Sequence, residues 1–342
     1  MKFKKWYFLF LLFPVILFLG PVVHYEKPVL KKQISGLSLS EVDTYITNKE
    51  SQIKNLKPGN ESEVVWFEDS LKTKTKYSVL YLHGFSASPY EGKELAISFG
   101  KKYGCNVYLP RLEDHGRADK NTFVNLTPQN YVQSAKDALD IARIIGDSVI
   151  VISCSTGATL GLILAAEGEN IHSHLMYSPN IAIADKSSVL LMYPWGKQVG
   201  KLVLGGDYNV LKYSEEQKKY WNETYHINGL TTLQYLLDNY MVKEAFEKIT
   251  HPVLLAYYFK DAKNQDPVVS VDAMLSMYNK IQTDENKKWI KAFPDAGSHM
   301  MISSLFSNQM DDITRFTFDY AEKILHLRDV SISANTKVKF QN

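Results

Sequence analysis

The chain has 342 residues, 45% of them hydrophobic, and a formal net charge of +2. That length suits one large domain, or one domain carrying an insertion, and the balanced charge implies no polyanionic partner. No basic stripe, RNA-binding aromatic motif or zinc-finger spacing occurs, which excludes nucleic-acid binding.

Lys2, Lys4 and Lys5 precede an uncharged run over 6–23. As a helix at ~1.5 Å per residue this run spans about 27 Å, close to the hydrocarbon thickness of a bilayer. The basic flank is expected to stay in the cytoplasm and send the rest outward. Residues 1–23 therefore read as a signal anchor, with a signal peptide as the alternative; cleavage would make the protein secreted rather than membrane-anchored and extracytoplasmic. Residues 24–60 are polar and read as a stalk or linker with one short helix from Ser40.

From there strands and helices alternate. The apolar runs 64–67, 77–82, 106–110, 148–152 and 174–177 read as strands, and 90–103, 128–145 and 156–167 as helices. Over 184–249 no clear strand stands out, and the stretch is helix-like and rich in Tyr and Trp, an expected helical cap over a site. Alternation then resumes with strands at 253–259 and 288–293 and helices at 270–281 and 311–327. Such alternation implies an α/β fold, a mostly parallel sheet with helices on both faces. The expected organisation is a core of 61–183 and 250–328, the insertion 184–249, and a C-terminal tail over 329–342. The two cysteines, Cys105 and Cys154, lack a Cys-x-x-Cys partner and read as buried thiols rather than a bridge.

The chemistry centres on the run Ser153-Cys154-Ser155-Thr156-Gly157, where a buried strand ends and a helix begins at once. That is the setting of a nucleophile elbow, although Ser153 stands where the motif has glycine. A serine needs a base to take its proton and a third group to orient the base. His299, between the last strand and the last helix, is the candidate base; His172, His174, His226, His251 and His326 are placed less well. The acid should follow strand 253–259, where Asp266 is favoured and Asp261 is the alternative. The N–H of Thr156, and that of Phe85 in the His83-Gly84-Phe85 loop, are the candidate oxyanion donors.

Together with 81–88, Arg111-Leu112-Glu113-Asp114-His115-Gly116, Asp266-Pro267-Val268-Val269 and Ala296-Gly297-Ser298-His299, these segments resemble the α/β-hydrolase superfamily, in particular bacterial carboxylesterases and monoacylglycerol lipase-like enzymes. The resemblance runs over 64–327. It implies an eight-stranded sheet with a lid inserted after the sixth strand, Ser155 as nucleophile, Asp266 as acid, His299 as base and a structural His115. The implied activity is hydrolysis of a small-molecule or lipid-like ester, without metal or organic cofactor. Amide cleavage, acyl transfer and a noncatalytic binding role are the alternatives that the same motifs leave open. Ser298, extra between Gly297 and His299, is a second departure from the pattern.

Overall fold

The computed structural model describes residues 19–31, 33–34 and 36–330. The expected signal anchor falls mostly, and the tail beyond 330 wholly, outside the described residues. Among the described residues no helix is long and apolar enough to cross a membrane.

The helices and strands run in the order α1 (Val42–Ser51), β1 (Glu63–Val65), β2 (Thr75–Leu82), α2 (Tyr90–Tyr103), β3 (Asn106–Leu109), α3 (Pro128–Ile145), β4 (Gly146–Cys154), α4 (Thr156–Ala166) and β5 (Ser173–Tyr177). The insertion follows, with a 3-10 turn (Lys186–Met192), α5 (Gly196–Leu204), β6 (Tyr208–Val210), α6 (Glu215–Lys218), β7 (Thr224–His226), α7 (Ile227–Tyr240) and α8 (Lys243–Phe246). The chain then returns through β8 (Val253–Tyr257), α9 (Val271–Tyr278), β9 (Lys288–Ala292) and α10 (Met310–Lys323).

Seven strands form one sheet in the order β1-β3-β2-β4-β5-β8-β9. Only β1 runs antiparallel, against β3. The central strands are apolar on both faces because both are covered. Val79 and Tyr81 of β2 and Ile150 and Ile152 of β4 face a core shared with α2 and α10. Their neighbours Leu80, Leu82, Val149 and Val151 face α3 and α4. From β3 the chain passes over β2 to reach β4, so the strand order reverses there. In such sheets a crevice opens at the carboxyl ends of the strands beside the reversal.

Three expectations differ from what is observed. The eighth strand is missing from the described residues. Upstream of β1, the Asn60 N–H donates to Lys57 O at 3.1 Å and its side-chain amide to Lys219 O at 2.8 Å, which holds this stretch in a turn. The insertion is not purely helical, since β6 and β7 pair as a small antiparallel sheet. Residues 24–60 are no free stalk. Val29 and Lys31 donate their N–H groups to Gln129 and Gln133 on α3, and Val42 is fully buried. Both cysteines are free and buried.

The firmest tie between that segment and the core is ionic. Glu50 on α1 accepts from Arg111 Nε at 2.8 Å, with both side chains buried. Ser62 donates to the other Glu50 oxygen and accepts the Arg111 N–H. Removing one partner of a buried pair strands the other charge. Glu50→Ala is therefore expected to cost about 3 kcal/mol in urea unfolding; a loss below about 0.5 kcal/mol, the range of neutral surface changes, would refute the assigned role.

Candidate active site

The site forms where β2, β4, β8 and β9 end. After β4 the backbone turns at Ser155 with φ 52° and ψ −121°, a region costly for a side chain-bearing residue. The turn is held by the Ser155 N–H donating to Tyr177 O at 3.0 Å, and by Ser155 O accepting from Ala158 and Asn180, each at 3.0 Å. Gly157 is needed for contact: a Cβ there would lie 1.9 Å from Leu82 O. Ser153, in the position of the motif's first glycine, is accommodated by a partner. Its Oγ lies 2.8 Å from Nε2 of His174 on β5, and both residues are fully buried. Burial pushes the His174 imidazole well below its ordinary pKa.

The loop after β2 lies alongside. His83 Nε2 accepts the Leu112 N–H at 3.0 Å, so the neutral ring carries its proton on Nδ1 and donates to Gly84 O at 2.9 Å. Burial brings this histidine down to about 4. His83 thereby joins the His-Gly loop to the Arg111-Leu112 loop. His115 is enclosed by the rings of His83, Phe85, Phe123 and Tyr131, consistent with a packing role. Among the described residues, neither the Phe85 N–H nor the Thr156 N–H donates to a protein acceptor.

His299 meets Asp266, not Asp261. Its Nδ1 lies 2.7 Å from Asp266 Oδ2. The other oxygen of Asp266 accepts the N–H groups of Val268 at 2.9 Å and Val269 at 3.1 Å, so the Asp-Pro-Val-Val turn aims the carboxylate. Asp261 is exposed and organises its own turn, accepting from Lys263 and Asn264. The extra Ser298 also has a local task, accepting the Met300 N–H at 3.2 Å. Burial by itself works to lower the His299 pKa. The charge and hydrogen bond of Asp266, with the charge of Glu91, outweigh it and hold the imidazole above its ordinary 6.5.

Glu91 is the site residue that the sequence reading missed. It is buried on α2 and accepts the Gly84 N–H and the Tyr81 hydroxyl, each at 2.7 Å. Burial raises its carboxyl above the ordinary range, against those two bonds and the charge of His299. A signal was present, since Glu91 shares a four-residue stripe with Leu95, Phe99 and Tyr103, all buried. A carboxylate on a core-facing stripe needs partners.

Ser155, Thr156, Phe85, Glu91 and His299 line one cavity of about 420 Å³. Tyr213, Trp221 and Tyr225 close it from the insertion, together with Leu230 and Leu233. Among the described residues no cluster of three or more His, Cys, Asp or Glu side chains could hold a metal ion.

No family model matches the chain. No curated protein matches it in sequence. Solved structures do match in shape. One, from work on LipS and LipT, two metagenome-derived lipolytic enzymes, has TM-score 0.62 at 17% identity over 78% of this chain and 99% of that one. Est1E from Butyrivibrio proteoclasticus, solved with ferulic acid bound, has TM-score 0.51 at 13% identity over 78% of this chain and 95% of that one. An esterase from Pyrococcus furiosus has TM-score 0.50 at 15% identity over 88% of this chain and 99% of that one. The sheet order, the flanking helices and these likenesses agree: the chain has the α/β-hydrolase fold.

Proposed function

We propose that this protein is a serine hydrolase of carboxylic esters. The observation that carries the reading is the 2.7 Å pair of His299 and Asp266, with His299 in the wall of a cavity that Ser155 also lines from a positive-φ turn. The esterase and lipolytic neighbours support the ester class.

In this reading Asp266 engages Nδ1 of His299, which leaves Nε2 to take the Ser155 proton. Ser155 Oγ attacks the ester carbonyl, and the oxyanion takes hydrogen bonds from the Phe85 and Thr156 N–H groups. Collapse expels the alcohol, which receives the proton from His299. Water, deprotonated by the same imidazole, then hydrolyses the acyl-enzyme to the acid. The apolar lining from Tyr213, Trp221, Tyr225, Leu230 and Leu233 suits an apolar acyl or alcohol group. Residues 184–249 act as the cap over this cavity. The uncharged run 6–23 behind Lys2, Lys4 and Lys5 supports anchoring at a membrane, with the catalytic unit on the extracytoplasmic side.

Ser155→Ala should lower turnover of a short-chain aryl ester by about 10⁴-fold or more, and a fluorophosphonate probe should label the parent protein at Ser155 alone. Near-parental turnover in the variant would sink the assignment. Running the matching amide beside the ester tests the ester preference directly.

The base must be neutral, and its pKa is raised above 6.5, so kcat/KM should fall as pH drops through a midpoint above 6.5. Asp266→Asn should reduce kcat/KM by about 10⁴-fold and move that midpoint down. Glu91→Gln keeps an acceptor for the Gly84 N–H but loses the charge facing His299, so it should also move the midpoint down while retaining measurable turnover. An unmoved midpoint would show that Glu91 does not act on His299.

A further inference from the structure

Helix α5 is mounted inside out. Its inward side is glycine: a Cβ on Gly196 would lie 1.8 Å from Leu190 O, and one on Gly200 2.8 Å from the Leu191 side chain. Its lysines are tied down at the edges, Lys197 to Asn228 and Lys201 to Asp207. Three of its four aliphatic side chains point out, with Leu202 82% and Val203 80% exposed. Val199, one turn earlier on the same stripe, is exposed too, as are Val189, Leu190 and Tyr193 of the preceding turn. A helix on a protein surface ordinarily turns its apolar stripe inward, and an apolar patch of this kind marks a contact surface.

The chain itself indicates what the contact is. The Trp195 N–H donates to Pro21 O at 3.0 Å, and Gly20 packs on the Trp195 indole, where a Cβ would come within 2.1 Å of the ring. Both residues belong to the uncharged run 6–23. The end of that run, at Gly20 and Pro21, therefore meets the folded unit at the start of α5. A second cavity of about 420 Å³ adjoins α5, and Leu190, Val199 and Val203 of the exposed face are among its lining residues. It shares Ile183, Leu230 and Leu233 with the wall of the Ser155 cavity.

We propose that the outward face of α5 and the turn before it rests in the interfacial layer of a lipid bilayer, held there by the run 6–23, so that the cavity beside α5 opens toward lipid. The proposal rests on the reading of that run as a membrane anchor. Apolar side chains at the headgroup–acyl boundary, with lysines beside them, are the chemistry of an interfacial helix.

The test uses the full chain reconstituted in vesicles of phosphatidylcholine and phosphatidylglycerol. Cys105 and Cys154 are buried, so Val203→Cys introduces the reactive thiol for an environment-sensitive fluorophore. Asp147→Cys, exposed at the opposite end of β4, serves as the reference. The label at 203 should emit further to the blue than that at 147 and be quenched several-fold more by doxyl-labelled lipid. A blue-shifted label that doxyl lipid does not quench would mean that protein covers the face, either the chain's own N-terminal run or a second copy, and would overturn the proposal. Equal behaviour at both sites in vesicle-bound protein would overturn it as well. If the protein fails to float with vesicles, the anchor reading falls and this proposal with it. Leu202→Asp adds a functional arm. It should leave hydrolysis of a soluble short-chain ester unchanged and slow hydrolysis of a bilayer-embedded ester about fivefold or more. Equal rates of the variant and parent on the embedded ester would count against the docking face, whereas loss of the soluble activity by Ser155→Ala concerns the hydrolase reading alone.

Discussion

The start of α4 presses on the end of β2, and most of the site geometry derives from that contact. Gly157 sits where any side chain would strike Leu82 O. This closeness lets the turn at Ser155 emerge directly beside the loop that follows Leu82. It brings the Thr156 N–H, on the helix, and the Phe85 N–H, on that loop, to one cavity. Neither donor can be placed by local sequence alone. Each belongs to a different strand's exit, and the register of β2 against β4, with Leu82 beside Ser153, sets their separation. The positive φ at Ser155 follows from the same crowding. The chain must leave the strand and enter a helix within one residue, and the hydrogen bond to Tyr177 O on β5 holds it there.

The histidines show how environment, rather than residue type, assigns roles. His83, His115 and His174 are as deeply buried as His299. Without a carboxylate partner, burial drives them neutral, and they act as fixed donors, acceptors or packing rings. His299 alone of these four has a carboxylate within hydrogen-bond distance, and its proton affinity rises. Glu91 adds negative charge near His299 from the β2 side, at the cost of holding a carboxylate near the position proposed for an oxyanion. The hydrogen bonds from Gly84 and Tyr81 restrain it to one oxygen's reach of the loop backbone.

Much of this was legible in the sequence. The apolar runs of β2, β4, β5 and β8 are long enough, and β-rich enough, to be read directly, and chain order, with the position between the last strand and the last helix, picks His299 from the other histidines. Asp266 was favoured over Asp261 because it stands before a helix, and the Asp-Pro-Val-Val turn does aim it at His299. The unread parts depend on contacts between different elements or are too short to carry a pattern. Glu91 takes its role from Tyr81 and Gly84, which lie outside its own helix. The seating of residues 24–60 depends on the side chains of Gln129, Gln133 and Arg111, which no local pattern reveals. The strands β6 and β7 have three residues each, too short for periodicity to register.

Ser153 and Ser298, the two departures from the expected motifs, carry a related lesson. Each is a small polar residue replacing or extending glycine, and each finds a specific partner: His174 Nε2 for Ser153, the Met300 N–H for Ser298. Glycine at 153 would leave the buried His174 Nε2 without that partner, and an unsatisfied buried ring nitrogen is costly. The serine and the histidine therefore form a matched pair, and neither can be judged alone against a motif. The same coupling extends to the insertion. Its Asn222 N–H donates to Ser86 O at 2.7 Å, and Tyr220 stacks on Tyr90. Trp221, between these two residues, walls the cavity. The segment that walls the cavity is thus bonded to the loop that carries the Phe85 N–H. If Ser155 acts as proposed, Trp221 is a cavity wall whose neighbours on either side, Tyr220 and Asn222, contact Tyr90 and Ser86, so the shape of that wall and the loop of the proposed oxyanion donor are linked through adjacent residues.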